Sequence, residues 1–351
     1  MAETNIGLTR YLTGMAKRRY TKKGNKIQPA MQTLNFTVEV AAGSGTSYLD
    51  LSQAASLVNR RFYRQGINWA VAGFKILSNP GTTGSVLLSK LPNTWVMSNA
   101  WEKGFRTWQR MNREALEETE SIRPKFLDFK IYADATHHQA GIGGNLLPTS
   151  VLGTYVAGEW ESSKFVIPTS GNTGSATDFE VIATGASFPG AAPASALNAV
   201  SLIEGYAASR GLPEVLDPNV PADSSDVGPT ATPENWLGSL FNEGTDQDKQ
   251  VLDDMITENN IAPYPFENDG VHTDTMYPGG ANQGTGLQIH DLEFITGTTI
   301  GGTTRLKGGN FPCGLIRFDF SNDAAEDLLT LQIDLVPGYH RGYLCEPMTE
   351  M

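Results

Sequence analysis

The sequence predicts an all-β fold, an antiparallel β-sandwich of about eight strands with a few helices and one long acidic insertion. Short segments with period-two alternation of apolar and polar residues recur along the chain. Clusters of Gly, Pro, Asn and Ser bound them at irregular spacing. Helices of 10 to 15 residues do not alternate with these segments, which disfavours a parallel α/β sheet.

From Gln32 the reading is a strand with one buried face: Leu34, Phe36, Val38 and Val40 alternate with Thr33, Asn35, Thr37 and Glu39. Gly43-Ser44-Gly45 reads as a turn, Ser52–Tyr63 as a short helix, and Ile67–Leu77 as a strand whose phase change at Gly73 predicts a bulge. Asn79-Pro80-Gly81 predicts a turn before a strand at Ser85–Leu91. The clearest helix is Asn99–Glu118. Trp101, Phe105, Trp108, Met111 and Ala115 share its inward side, and Lys103, Arg106, Arg110 and Arg113 the opposite one. Glu102, Glu114 and Glu117 sit where they can pair with those arginines, so the cationic face reads first as an ordinary solvated surface.

Pro124 ends the helical region, and strands follow at Phe126–Ala133, Glu159–Ile167 and Asp178–Thr184. From Gly185 to Gly286 the chain is rich in Ala, Pro, Gly, Asn and Asp, with only Arg210 and Lys249 as bases and helix-like pieces at Ala196–Arg210 and Asn235–Asn259. Such an insertion is expected on an outward surface. Strand pattern resumes at Leu287–Thr296, Gly314–Phe320 and Leu328–Val336.

Charge is distributed unevenly along the 351 residues. Residues 1–38 carry seven bases and one acid, 39–130 twelve and eight, and 131–351 seven and 29. Residues 1–31 therefore read as a basic N-terminal arm preceding a domain at 32–351. Its cations are Arg10, Lys17, Arg18, Arg19, Lys22, Lys23 and Lys26. Tyr11 and Tyr20 interleave with them, and Gly14, Gly24 and Asn25 break any helical or strand period. A mobile cationic arm is drawn to nucleic-acid phosphate by counterion release, and its tyrosines suit stacking on unpaired bases. Solubility alone, or nuclear import through Lys17-Arg18-Arg19 and Lys22-Lys23, are the other uses of such a segment.

Catalytic chemistry is not expected. Gly141-Ile142-Gly143-Gly144 lacks a phosphate-loop lysine, no Gly-x-Ser-x-Gly elbow occurs, and Asp253-Asp254 and Glu117-Glu118 read as solvated helix faces. His137 and His138, with Asp134 nearby and His272 and Asp274 downstream, form the most suggestive metal constellation, but adjacent histidines read as surface loop residues. Neither a metal nor a cofactor is expected. Cys313 and Cys345 are expected as free, buried thiols. No apolar run long enough to cross a membrane appears, and the leading bases lack a following apolar stretch, which argues against a secretory signal. The chain is expected to stay inside the cell, and the Asn35-Phe36-Thr37 sequon to be accidental.

With its arm MAKRRYTKKGNK at 15–26, its first strand LNFTVEV at 34–40, its insert SLIEGYAASRGLPEVLDPNVP at 201–221 and its closing LLTLQIDLVPGYHRGYLCEPM at 328–348, the chain resembles the coat proteins of small circular Rep-encoding single-stranded DNA viruses. The resemblance implies a single jelly-roll that self-assembles into an icosahedral shell. It also implies a basic arm on the single-stranded DNA genome, an acidic insertion outside toward a host-cell receptor, and no enzymatic activity. Many such coats have a longer Arg-rich terminus. The resemblance therefore gives Arg60, Arg61 and Arg64, together with Lys103, Arg106, Arg110 and Arg113, a supplementary role on the genome. Trp160, Trp236 and Tyr343 are candidate interface anchors or core residues. The rival reading is an intracellular β-sandwich carbohydrate-binding protein or glycosidase, against which the basic arm speaks.

Overall fold

The computed structural model describes residues 29–117, 119–122, 127–168, 176–187, 195–210, 236–239, 285–296, 302–322 and 327–351. The seven arm cations, Tyr20 and most of the acidic insertion lie outside these residues. In chain order the elements begin with β1 (Thr33–Val40), β2 (Gly43–Asp50), α1 (Leu51–Asn59), β3 (Ile67–Leu77), β4 (Gly84–Lys90) and α2 (Trp95–Glu117). A long connection follows with α3 (Ala135–Ala140), a small hairpin β5 (Thr149–Ser150) and β6 (Gly153–Thr154), then β7 (Lys164–Pro168), β8 (Ala176–Ile182), β9 (Asn198–Ser201), α4 (Leu202–Arg210) and α5 (Trp236–Ser239). The chain closes with β10 (Gln288–Ile295), β11 (Thr303–Phe311), β12 (Leu315–Asn322), β13 (Asp327–Leu335), β14 (Pro337–Gly338), β15 (Gly342–Tyr343) and β16 (Cys345–Pro347).

The protein is mostly antiparallel β. One sheet runs β1-β13-β3-β11, with β16 added to β3, and the other β10-β4-β12-β2. Within them β1 pairs with β13, β2 with β12, β3 with β11 and β4 with β10. The alternation in β1 sets its register on β13: Leu34, Phe36 and Val38 lie opposite Ile333, Leu331 and Leu329, and all six are 2% exposed or less. A slip of one residue would turn that row to solvent, so burial fixes the register. Both sheets contribute to one core, in which Phe74 meets Phe311 and Phe318 edge-on at 5.3 and 5.9 Å. A second core forms where α2 packs with α4 and the sheet β7-β8-β9, gathering Trp101, Phe129, Phe165, Val181, Leu202 and Trp236.

Several expectations need correction. Gly43-Ser44-Gly45 is not a turn but the start of β2, whose first half is exposed and held by backbone pairing to β12. Strand β11 carries Gly308 and Gly309 at its centre, which hid its alternation. The bulge of β3 falls at Ala72, one residue before Gly73, since Asp334 faces Gly73 and Leu335 faces Val71. Gly308 lies against that bulge, and a Cβ there would sit 2.3 Å from the Val71 and Ala72 carbonyl oxygens. The described part of Phe126–Ala133, residues 127–133, is no strand: Lys130 N donates to Ser163 Oγ, Ile131 N donates to Gln65 Oε1, and only Tyr132 bridges to Ile182. The first half of Ala196–Arg210 is strand β9, not helix. Its Ala199 and Val200, like Leu202, Ile203, Trp236 and Leu237, are buried, so these parts of the insertion are core rather than outer relief. Trp236 and Tyr343 are fully buried core residues.

Candidate nucleic-acid interface

The arm enters the domain at a pinned root. Met31 N donates to Asn59 Oδ1 at 3.0 Å, Tyr343 Oη donates to Met31 O at 2.6 Å, and Arg61 Nη1 donates to Pro29 O at 2.8 Å. This root lies beside the arginine cluster that the sequence singled out. Arg60 ends α1 in the left-handed region (φ 54°) and is exposed, as is Arg64. The tail adds Arg341 (φ 53°), whose guanidinium donates to the Phe62 carbonyl while its own carbonyl accepts from Tyr63 Oη at 3.0 Å. Arg341 stands 280 residues from Arg61 in the chain, and no local pattern marks it.

A groove of about 450 Å³ opens at this cluster, lined by Phe62, Arg64, Gly66, Ile67, Trp101, Phe105, Leu127, Asp128, Phe129, His340, Arg341, Pro347 and Thr349. Phe62 comes from the α1–β3 connection, Phe105 from α2 and Arg341 from the tail, so three separate segments build it. The α2 rings hold each other in place: Trp101 stacks on Phe105 at 4.9 Å and Trp108 follows at 6.5 Å. Lys130 Nζ sits 4.5 Å from the Trp160 ring centre, 5.8 Å from that of Phe62 and 3.9 Å from Asp128 Oδ2. Burial pushes the Asp128 carboxyl up to about 6, while Lys130 pulls it back down. Burial, then the neighbouring Arg341, lowers the His340 imidazole below its ordinary value, so the arginines supply the positive charge.

The supplementary cations on α2 behave as their spacing allowed. Glu102 pairs with Arg106 and Glu114 with Arg110, the latter at 3.1 Å, while Lys103 Nζ lies 5.9 Å from the Tyr206 ring centre. Arg113 lines a second groove of about 320 Å³ with Gln109, Asn112, Leu116, Glu117, Glu120 and Leu127. Leu127 is common to both grooves. Arg60, Arg61 and Arg64 thus gather at the arm root, whereas on α2 Arg106 and Arg110 are paired with carboxylates.

His137 and His138 are not surface residues. Both are buried on α3, which Asp134 caps by accepting from His137 N at 2.8 Å. A short helix turns adjacent residues roughly 100° apart, so the two rings serve two polar networks. His137 Nδ1 accepts from Ala133 N at 3.0 Å and its Nε2–H donates to Asn145 Oδ1 at 2.7 Å, the ring stacked on Tyr48 at 4.4 Å. His138 Nε2 meets Glu180 Oε2 at 2.8 Å, and Ser162 and Ser195 also donate to that carboxylate. Arg317 spans Asp134 at 2.9 Å and Asp319 at 2.9 Å. Among the described residues no group of three or more His, Cys, Asp or Glu is arranged to hold a metal; His272 and Asp274 lie outside them. Both cysteines are free, Cys313 buried and Cys345 half-buried. No helix among the described residues is long and apolar enough to cross a membrane.

Comparison with protein-family models, curated proteins and solved structures finds no match for the chain.

Proposed function

We propose that this chain is a viral coat protein, a single jelly-roll that self-assembles into an icosahedral shell around single-stranded DNA. The observation that carries the reading is the pairing order. Numbering the eight principal strands β1, β2, β3, β4, β10, β11, β12 and β13 from one to eight, strand one pairs with eight, two with seven, three with six and four with five. This order supports a single long antiparallel ribbon whose pairs alternate between two sheets, the plan expected of a double-sheet jelly roll. The double-sheet jelly roll recurs in capsid and lectin domains, so fold alone does not choose between them. The charge distribution favours the coat. A cationic arm leads into the domain beside Arg60, Arg61, Arg64 and Arg341, where a polyanion on one side of a wall would be neutralised.

In this reading the two sheets form the wall, the arm and its root face the genome, and the acidic insertion, apart from its buried residues 199–203 and 236–237, faces outward toward a receptor. Of the α2 cations, Arg106 and Arg110 contribute least, because Glu102 and Glu114 offset them. Electron microscopy of purified full-length protein tests the proposal: uniform closed particles containing nuclease-protected DNA are expected, and deleting residues 1–28 should reduce that DNA while particles still form. A monodisperse monomer that binds glycan overturns it in favour of the carbohydrate-binding rival. Equal packaging by the truncated chain overturns the role of the arm.

A further inference from the structure

We propose that the groove at the arm root is a single-strand-selective subsite, in which an unstacked nucleobase lies against Phe62 and Phe105 while Arg64 and Arg341 hold the flanking phosphates. The proposal rests on the reading of the chain as a nucleic-acid-enclosing coat, and adds a second, fixed contact to that of the arm. Its volume of about 450 Å³ is in the range of small-ligand sites. Its walls are aromatic: Phe62 and Phe105 are each half-buried, leaving ring surface at the groove, and the stack with Trp101 holds Phe105 in place. Two exposed guanidiniums stand at the same opening, and the one carboxylate in the lining, Asp128, has Lys130 at 3.9 Å to offset it.

This combination favours a single strand over a purely apolar chain or a duplex. An aliphatic peptide or lipid chain would leave Arg64 and Arg341 without an anion. A duplex offers phosphates to the arginines but keeps its base faces stacked and paired, so the rings would gain nothing. Of the two forms of nucleic acid, the single strand presents a phosphate and an open base face together. The footprint stops at Leu127, because the adjoining groove sets Glu117 and Glu120 beside Arg113, and carboxylates there repel a polyanion.

The test uses full-length protein titrated with a single-stranded oligothymidylate and with a mixed-sequence duplex, each of about 20 nucleotides per strand, across a salt series. Phe62→Ala should weaken oligothymidylate binding about tenfold, leave its salt slope unchanged and leave duplex binding unchanged. Arg64→Ala and Arg341→Ala should each lower the salt slope by about one, whereas Arg113→Ala should not change it. Arg64 is exposed, so its variant keeps the test open if Phe62→Ala or Arg341→Ala fails to fold. Equal losses for single strand and duplex in Phe62→Ala, or an unchanged salt slope in Arg64→Ala, overturn the subsite. The two proposals fail separately. Particles that form and package DNA while Phe62→Ala and Arg64→Ala bind as the wild type does remove the subsite alone. A chain that forms no particles yet shows the predicted single-strand selectivity removes the shell alone.

Discussion

Acid should destabilise this protein in part through one buried imidazole, His137, and the effect can be isolated. Burial lowers the pKa of His137 to about 4, against an ordinary value of 6.5. The cause is visible in its bonds. Nδ1 accepts from the Ala133 N–H, so a proton placed there would oppose that N–H, while the stacked Tyr48 ring and the surrounding core exclude water. Because the folded state disfavours the charged form, the contribution of this group is fully present above pH 6.5. It is lost as pH falls, since the unfolded chain takes up the proton first, and the loss saturates below about 4. With the imidazole moved from 6.5 to about 4, and each tenfold change in proton affinity contributing about 1.4 kcal/mol, about 3 kcal/mol is lost between about pH 7 and about pH 4. Asp50 and Asp128, raised by burial to about 6, act with the opposite sign: their contribution is present below the ordinary carboxylate value and lost as pH rises through 6. They titrate in wild type and variant alike, so the difference between wild type and His137→Gln cancels them. Urea denaturation across the pH series should show that difference shrinking by about 3 kcal/mol toward pH 4. A difference constant to within about 0.5 kcal/mol refutes the assignment.

Three further outcomes are expected, each read by chemical denaturation. Phe36→Ala empties a fully buried position opposite Leu331 and should cost about 3–5 kcal/mol at unchanged denaturant slope. Arg317→Met strands the buried Asp134 carboxylate and should cost about 3–5 kcal/mol, whereas Lys75→Met breaks a partly exposed pair with Asp334 and should cost less than about 1 kcal/mol. Gly308→Ala forces a Cβ against two carbonyl oxygens at the β3 bulge and should cost about 1–3 kcal/mol.

The legible parts of the fold were those with a local signature. The strands near residues 34–40, 67–77, 85–91, 287–296, 314–320 and 328–336 announced themselves because one buried face imposes period two on the residues themselves. Strands β2 and β11 did not: backbone pairing holds them, and their residues are exposed or glycine over much of their length. The candidate interface was half legible. Arg60, Arg61 and Arg64 are a visible cluster in the chain, but Arg341, Lys130 and the aromatic wall join them only through folding. His137 and His138 were misplaced for the same reason, since the acceptors and donors that make their burial tolerable lie on other segments.

Sequence by itself therefore determined the predominantly antiparallel β character, the inward face of the strands and the concentration of positive charge at one end of the chain. Those properties follow from side-chain alternation and from counting charges, and need no knowledge of what packs on what. Tertiary structure alone decided that strand one meets strand eight, that the tail returns to the arm root, and that two adjacent histidines enter separate buried networks. Each of these depends on contacts between residues far apart in the chain, and only the closing of both sheets over one core selects them.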